Sequence, residues 1–221
     1  MKTTKKRPAL KRRGRPPASE NSDMQPLADQ LRRAAILAFS TQGFDRASFR
    51  SIAREVGVDA SLIAHKFGSK LGLWQSAIDD LSRNLLEALA GIPKLVAGSN
   101  GSGERLAKTM AGIIDMICDT PYLAPFLLHE VARQDERFDY FYSRLIKPVR
   151  DVLHPLIVDA CRSGALGEVD PDFYFVAFAG SFLNLIAARP FLTRLSRSAK
   201  SDKAFRDQVK KAVLGKLAAS E

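Results

Sequence analysis

Apolar residues recur at helical spacing along almost the whole chain, and no stretch shows the strict period of two that marks a half-buried strand. Leu31, Ala34, Ala35, Leu37, Ala38 and Phe39 stripe one face of a helix that stops at Gly43. Ser48 stands where a cap is needed, since its hydroxyl accepts from an otherwise unpaired backbone N–H at the start of a second helix. Ile52, Ala53 and Val56 give that helix its apolar face. Gly57 ends it, because a residue without Cβ enters the left-handed region at little steric cost. Val58 plugs the corner, and Asp59 caps a third helix that turns Leu62, Ile63 and Phe67 inward. Gly68 closes that helix. Ser69 caps the next, with Leu73 and Trp74 facing the core, and this helix runs to about Ala90 before Gly91 and Pro93.

Two short helices around a tight turn, with small Ala53 at their crossing, Gly57 four residues on and Ile63 six beyond, have the pattern of a helix-turn-helix. In that motif the second helix enters the DNA major groove. A plain helical hairpin is the alternative. Ala60, Ser61, Ala64 and His65 are predicted to face outward near the start of the recognition helix, in reach of base edges; His65 fits a solvated surface residue equally well. Ser48, Arg50, Lys66 and Lys70 are better placed for phosphates, where they add affinity that falls with salt.

Beyond residue 90 the pattern predicts helices over about Gly103–Cys118, Pro121–Arg133, Asp135–Arg162, Pro171–Ala188 and Ser201–Leu217. Pro148 and Pro155 should bend the third of these, and Gly164 and Gly167 end it. The fold class is all-α, with about nine helices, three of them in an N-terminal DNA-binding domain. The expected divisions are a basic tail over 1–22, the helix-turn-helix domain over 23–69, and a helical domain over 70–221. The glycine-rich run 98–103 lacks the Gly-Lys-Ser/Thr ending of a phosphate-binding loop.

The run Ala35 to Phe39, Gly43-Phe44, Ser48, Ile52-Ala53, Gly57-Val58, Ile63, Phe67, Ser69-Lys70 and Leu73 resembles the TetR family of transcriptional regulators. Ala64 stands where that family usually has Tyr, Lys66 where it often has His, and Leu71 where it has an acidic residue. These departures bear on the operator sequence and leave the core intact. The resemblance implies a ligand-responsive repressor that binds a palindromic operator as a homodimer through its last two helices. It also implies a small-molecule effector, released repression on binding it, and a bacterial cytoplasmic location. The stretch Phe173 to Ala188 is apolar almost all round, which suits either a dimer surface or a central core helix.

Charge then separates the tail from the rest. Of a formal net charge of +10, eight positive charges (Lys2, Lys5, Lys6, Arg7, Lys11, Arg12, Arg13 and Arg15) precede residue 18 with no acid among them, leaving +2 for the remainder. Such a run cannot bury apolar surface and is expected to be disordered when free. Arg12-Arg13-Gly14-Arg15-Pro16-Pro17 looks like an AT-hook, with Gly seating the backbone deep in an A·T minor groove and Arg13 and Arg15 running along it. A merely solvated tail is the other reading. An A·T-preferring architectural protein led by this tail is the rival function.

No secretory signal follows the N-terminal charges, and the 16 uncharged residues from Phe173 to Ala188 fall short of a membrane span, so no membrane association is expected. Cys118 and Cys161 read as buried thiols in a reducing compartment, with a redox switch as the minority reading. His65, His129 and His154 are scattered, and no metal spacing, nucleophile motif or acid pair stands out. An enzyme is therefore not expected, nor a cofactor. For the effector, Met110, Ile114, Ile117, Phe126, Phe141, Tyr142 and Phe178 offer an apolar lining suited to a hydrophobic ligand, or simply core. His129 and Glu130 either orient that ligand, or lie at the surface and pair with Arg133.

Overall fold

The computed structural model describes residues 19–218. Helix α1 (Ser19–Gln42) is followed by α2 (Phe49–Val56), α3 (Ala60–Phe67) and α4 (Lys70–Ala90). A single turn, α5 (Ile92–Leu95), leads to α6 (Ser102–Asp119) and α7 (Leu123–Val131). Then come α8 (Glu136–Phe141), α9 (Lys147–Arg162), α10 (Pro171–Ala187), α11 (Arg189–Leu195) and α12 (Asp202–Ala218). The described chain is all-α, as its periodicity predicts.

The caps fall where the sequence places them. Ser48 Oγ accepts from the Ser51 N–H at 3.1 Å, and Ser51 Oγ accepts from the Ser48 N–H at 3.1 Å, so two orphan donors are satisfied reciprocally. Asp59 Oδ1 accepts from Ser61 N–H at 2.7 Å and Ser69 Oγ from Gly72 N–H at 2.9 Å. Gly57 has φ +78°, and a Cβ built there meets nothing within 4 Å. Replacing it therefore costs only backbone strain. Gly57→Ala is expected to lower stability by about 1–2 kcal/mol, seen as a drop in thermal midpoint, with Gly57→Asn losing less; equal midpoints for all three would contradict this.

Where the fold departs from expectation, proline explains it. The predicted bend near Pro148 is a π-helical stretch, Tyr142–Ile146, that joins α8 to α9 without a break. Proline lacks the N–H, and its ring crowds the carbonyl four residues back, so the widened turn absorbs the misfit. Pro155 lies within α9 and does not interrupt it. Pro190 ends the apolar α10 and opens α11, which leaves at 67°; this helix and the following 3-10 turn, Arg197–Lys200, occupy a stretch to which the sequence pattern assigns no helix.

Helices α1 and α3 pack on α4, α2 packs on α1 and α3, and α1 also packs on α7. Further along, α4 packs on α9, while α6, α9, α10 and α12 close the rest of the core. Thus α4 belongs to both halves. Helix α4 begins at Lys70, where the helical domain is expected to start, and α1 begins at Ser19. Among the described residues no single helix is long and apolar enough to cross a membrane.

Candidate nucleic-acid interface

Helix α3 has eight residues, too few to stand alone in water. Its one fully buried side chain is Ile63, at 0% exposure. Ile52 and Ala53 of α2 and Leu73 and Trp74 of α4 belong to the same buried cluster. Phe67 is half-buried against it, and Leu62 is half-buried. Seating Ile63 inward leaves Ser61, Ala64 and His65 exposed on the opposite side, with Ser48 and Arg50 exposed at the start of α2.

Ala60 differs from expectation. It is half-buried and packs against the core, so part of its methyl is already covered. Lys66 is half-buried. Lys70 is turned inward: its ammonium donates to the carbonyls of Phe44 at 2.7 Å, Asp45 at 3.0 Å and Ala47 at 3.2 Å. It clasps the α1–α2 turn, so what it offers a phosphate is charge rather than a free donor. Arg13 and Arg15 lie outside the described residues. The Asp59 carboxyl is held below its ordinary range by its hydrogen bonds with Ser61. Because that shift is downward, the charged cap is present at neutral pH and is lost only as pH falls through the lowered value.

The other candidate residues are mostly core. Met110, Ile114, Ile117, Phe126, Phe141 and Phe178 are all buried in one continuous apolar cluster. Tyr142 instead is 46% exposed, because the widened turn places it at the surface. His129 is exposed, the surface position that is one of its two expected readings, while Glu130 is only 3% exposed. Glu130 is paired, and not with Arg133: both its oxygens accept from Arg137, at 2.8 and 2.9 Å, while Arg133 binds Asp135. Two adjoining clefts of about 880 and 550 Å³ lie between the start of α6, the turn after α9 and the end of α12, and share Ala165 and Leu217. The second reaches Tyr174, whose hydroxyl lies 3.9 Å from the Met110 sulfur and whose pKa burial pushes up to about 12. Cys118 and Cys161 are free thiols and half-buried, and burial pushes the Cys118 thiol up. Among the described residues, no three His, Cys, Asp or Glu side chains cluster to hold a metal.

A capped, glycine-turned helix pair presenting Ser61, Ala64 and His65, seated on a helical body, defines a helix-turn-helix protein. Residues 31–77 match the profile of bacterial regulatory proteins of the tetR family. Over those residues the chain is similar to the TetR family of transcriptional regulators. It is 33% identical over 85 residues to the HTH-type transcriptional regulator BetI of Cronobacter sakazakii, a match spanning 38% of this chain and 42% of that one. Its fold is similar to that of the fatty acid degradation regulator FadR from Bacillus halodurans, at 17% identity and TM-score 0.64, covering 86% of this chain and 95% of that one. The FadR of Bacillus subtilis, solved in complex with stearoyl-CoA, matches at 16% identity and TM-score 0.64 over 87% and 98%.

Proposed function

We propose that the chain is a ligand-responsive repressor that binds a palindromic operator as a homodimer. The observation that carries this reading is the recognition helix, held by Ile63 with Ser61, Ala64 and His65 free to meet base edges. One such helix spans too few base pairs for useful specificity, which two-fold pairing corrects. A surface suited to pairing exists on α10, where Phe173 and Val176 stand in solvent. Ser48 and Arg50 contact phosphates, with Lys66 beside them. Arg13 and Arg15 add a minor-groove contact beside the operator.

The effector is a hydrophobic small molecule, and an acyl-CoA is the first class to test, given the complex of Bacillus subtilis FadR. It acts only if it prefers a dimer whose recognition helices are wrongly spaced for the operator. The clefts beside Tyr174 are the entry, leading towards Met110.

Selection of bound DNA from a random pool, with the full chain at near-physiological salt, tests the reading. A palindromic consensus released by stearoyl-CoA is the expected result; enrichment for A·T content without a palindrome would replace it with the architectural function. Removing residues 1–17 should leave the consensus unchanged and flatten the salt dependence, by about 0.9 in log–log slope for each phosphate that the tail neutralises. An unchanged slope would remove the tail from the interface.

A further inference from the structure

A buried ion pair joins the helical body to the DNA-binding unit. Glu130 on α7 and Arg137 on α8 pair through two short hydrogen bonds. The Arg137 guanidinium carbon lies 4.0 Å from the ring centre of Phe44, in the α1–α2 turn, and 5.3 Å from that of Trp74. Phe44 is held by Lys70 as well, whose ammonium is 4.6 Å from the same ring centre and grips the carbonyls on either side of the turn. Four residues past Phe44 stands Ser48, the cap of α2. A second connection runs beside the first, where Tyr140 donates to Asp79 of α4 at 3.0 Å and Arg144 to the same carboxylate at 2.9 Å.

A buried ion pair is a poor way to gain stability, since desolvation offsets most of the attraction, and an apolar pair would pack as well. What it provides is direction: a planar cation anchored at one end stacks on an aromatic face in one orientation. Arg137 Nε is buried without a protein partner, so the side chain accepts a cost to hold that position.

We propose that Arg137 is a positioning residue, which through Phe44 sets the angle of the helix-turn-helix on the body and thereby the spacing of the two recognition helices. This rests on the palindromic dimer proposed above and adds the contact through which an effector acts. Any ligand that shifts α7 or α8 draws the guanidinium off Phe44 and frees the turn ahead of α2. The recognition helix itself stays folded.

Arg137→Met keeps the length and removes the cation, while Phe44→Leu removes the ring from the other side. Each full-length variant is titrated with the selected palindrome and with a single half-site, because loss of folding lowers both affinities whereas loss of positioning lowers only the first. The expected result is a palindrome-to-half-site ratio reduced by roughly tenfold in both variants, as two linked sites lose effective concentration, with half-site binding unchanged. Arg137→Lys should recover part of the ratio, since an ammonium still meets the ring. Trp74, the sole tryptophan, should change its emission in Arg137→Met. An unchanged ratio in both variants overturns the proposal. A wild-type chain without preference for the palindrome overturns the dimeric reading beneath it.

Discussion

The double variant Phe173→Glu/Val176→Glu is expected to be monomeric and to bind its operator about 100- to 10,000-fold more weakly than the wild type, the range by which linking two sites exceeds one. Phe173 is 78% exposed and Val176 62%, an arrangement that leaves a large apolar area in water on a single helix. With Ala177, Gly180, Ser181 and Asn184 they form a stripe at helical spacing, opposite the buried Phe178, Phe182, Leu183 and Ile186. Small residues beside two apolar ones let a second helix approach closely, and a two-fold axis would set each stripe against its own copy. Phe191 and Leu195 of α11, next along the chain, are exposed as well. Glutamates on both copies repel, while the monomer loses nothing because the positions are already solvated. Sedimentation equilibrium reads the mass and operator titration the affinity. A variant that remains dimeric would move the interface elsewhere.

That stripe also shows how far the sequence is legible. From residues alone, Phe173 to Ala188 suits either a core helix or a dimer surface; one side, with Phe178, Phe182, Leu183 and Ile186, is core, while the exposed side mixes Phe173 and Val176 with small and polar residues. The helix-turn-helix is far plainer, since Ser48, Gly57, Asp59 and Ser69 carry local signals that the chain obeys within a few residues. Contacts made across long separations leave no such mark. Arg137 lies 93 residues beyond Phe44, and nothing in either neighbourhood announces the stacking. For the same reason the partner of Glu130 is Arg137 rather than the nearer Arg133, which Asp135 takes at the cap of α8. Lys70 reads as a phosphate contact because lysines usually are solvated; three carbonyls converging from the α1–α2 turn are a tertiary fact. For the effector lining the sequence leaves both readings open, as apolar periodicity distinguishes buried from exposed but not a packed core from an open cavity.

Ile63→Ala should weaken operator binding strongly while leaving the dimer intact, whereas the α10 variant loses both. An eight-residue helix draws almost all its stability from packing, and Ile63 is the one side chain of α3 that is wholly buried. Truncating a buried isoleucine costs about 2–5 kcal/mol. Spread over a whole domain that is a large part of about 5–15 kcal/mol; confined to one short helix it exceeds what the remaining half-buried Ala60, Leu62 and Phe67 restore. The loss therefore appears as local opening of α3, not global unfolding. Hydrogen exchange should show protection lost over residues 60–67 and retained in α6, α9 and α10. Operator affinity should fall by about 100-fold, since ~2.7 kcal/mol of the cost must be met again on binding. Ile63→Val, at about 0.5–1.5 kcal/mol, should retain most of both. Full protection of residues 60–67 in Ile63→Ala, with wild-type affinity, would mean that α3 is seated by its caps rather than by its core side chain, and that the base-reading surface tolerates a void beneath it.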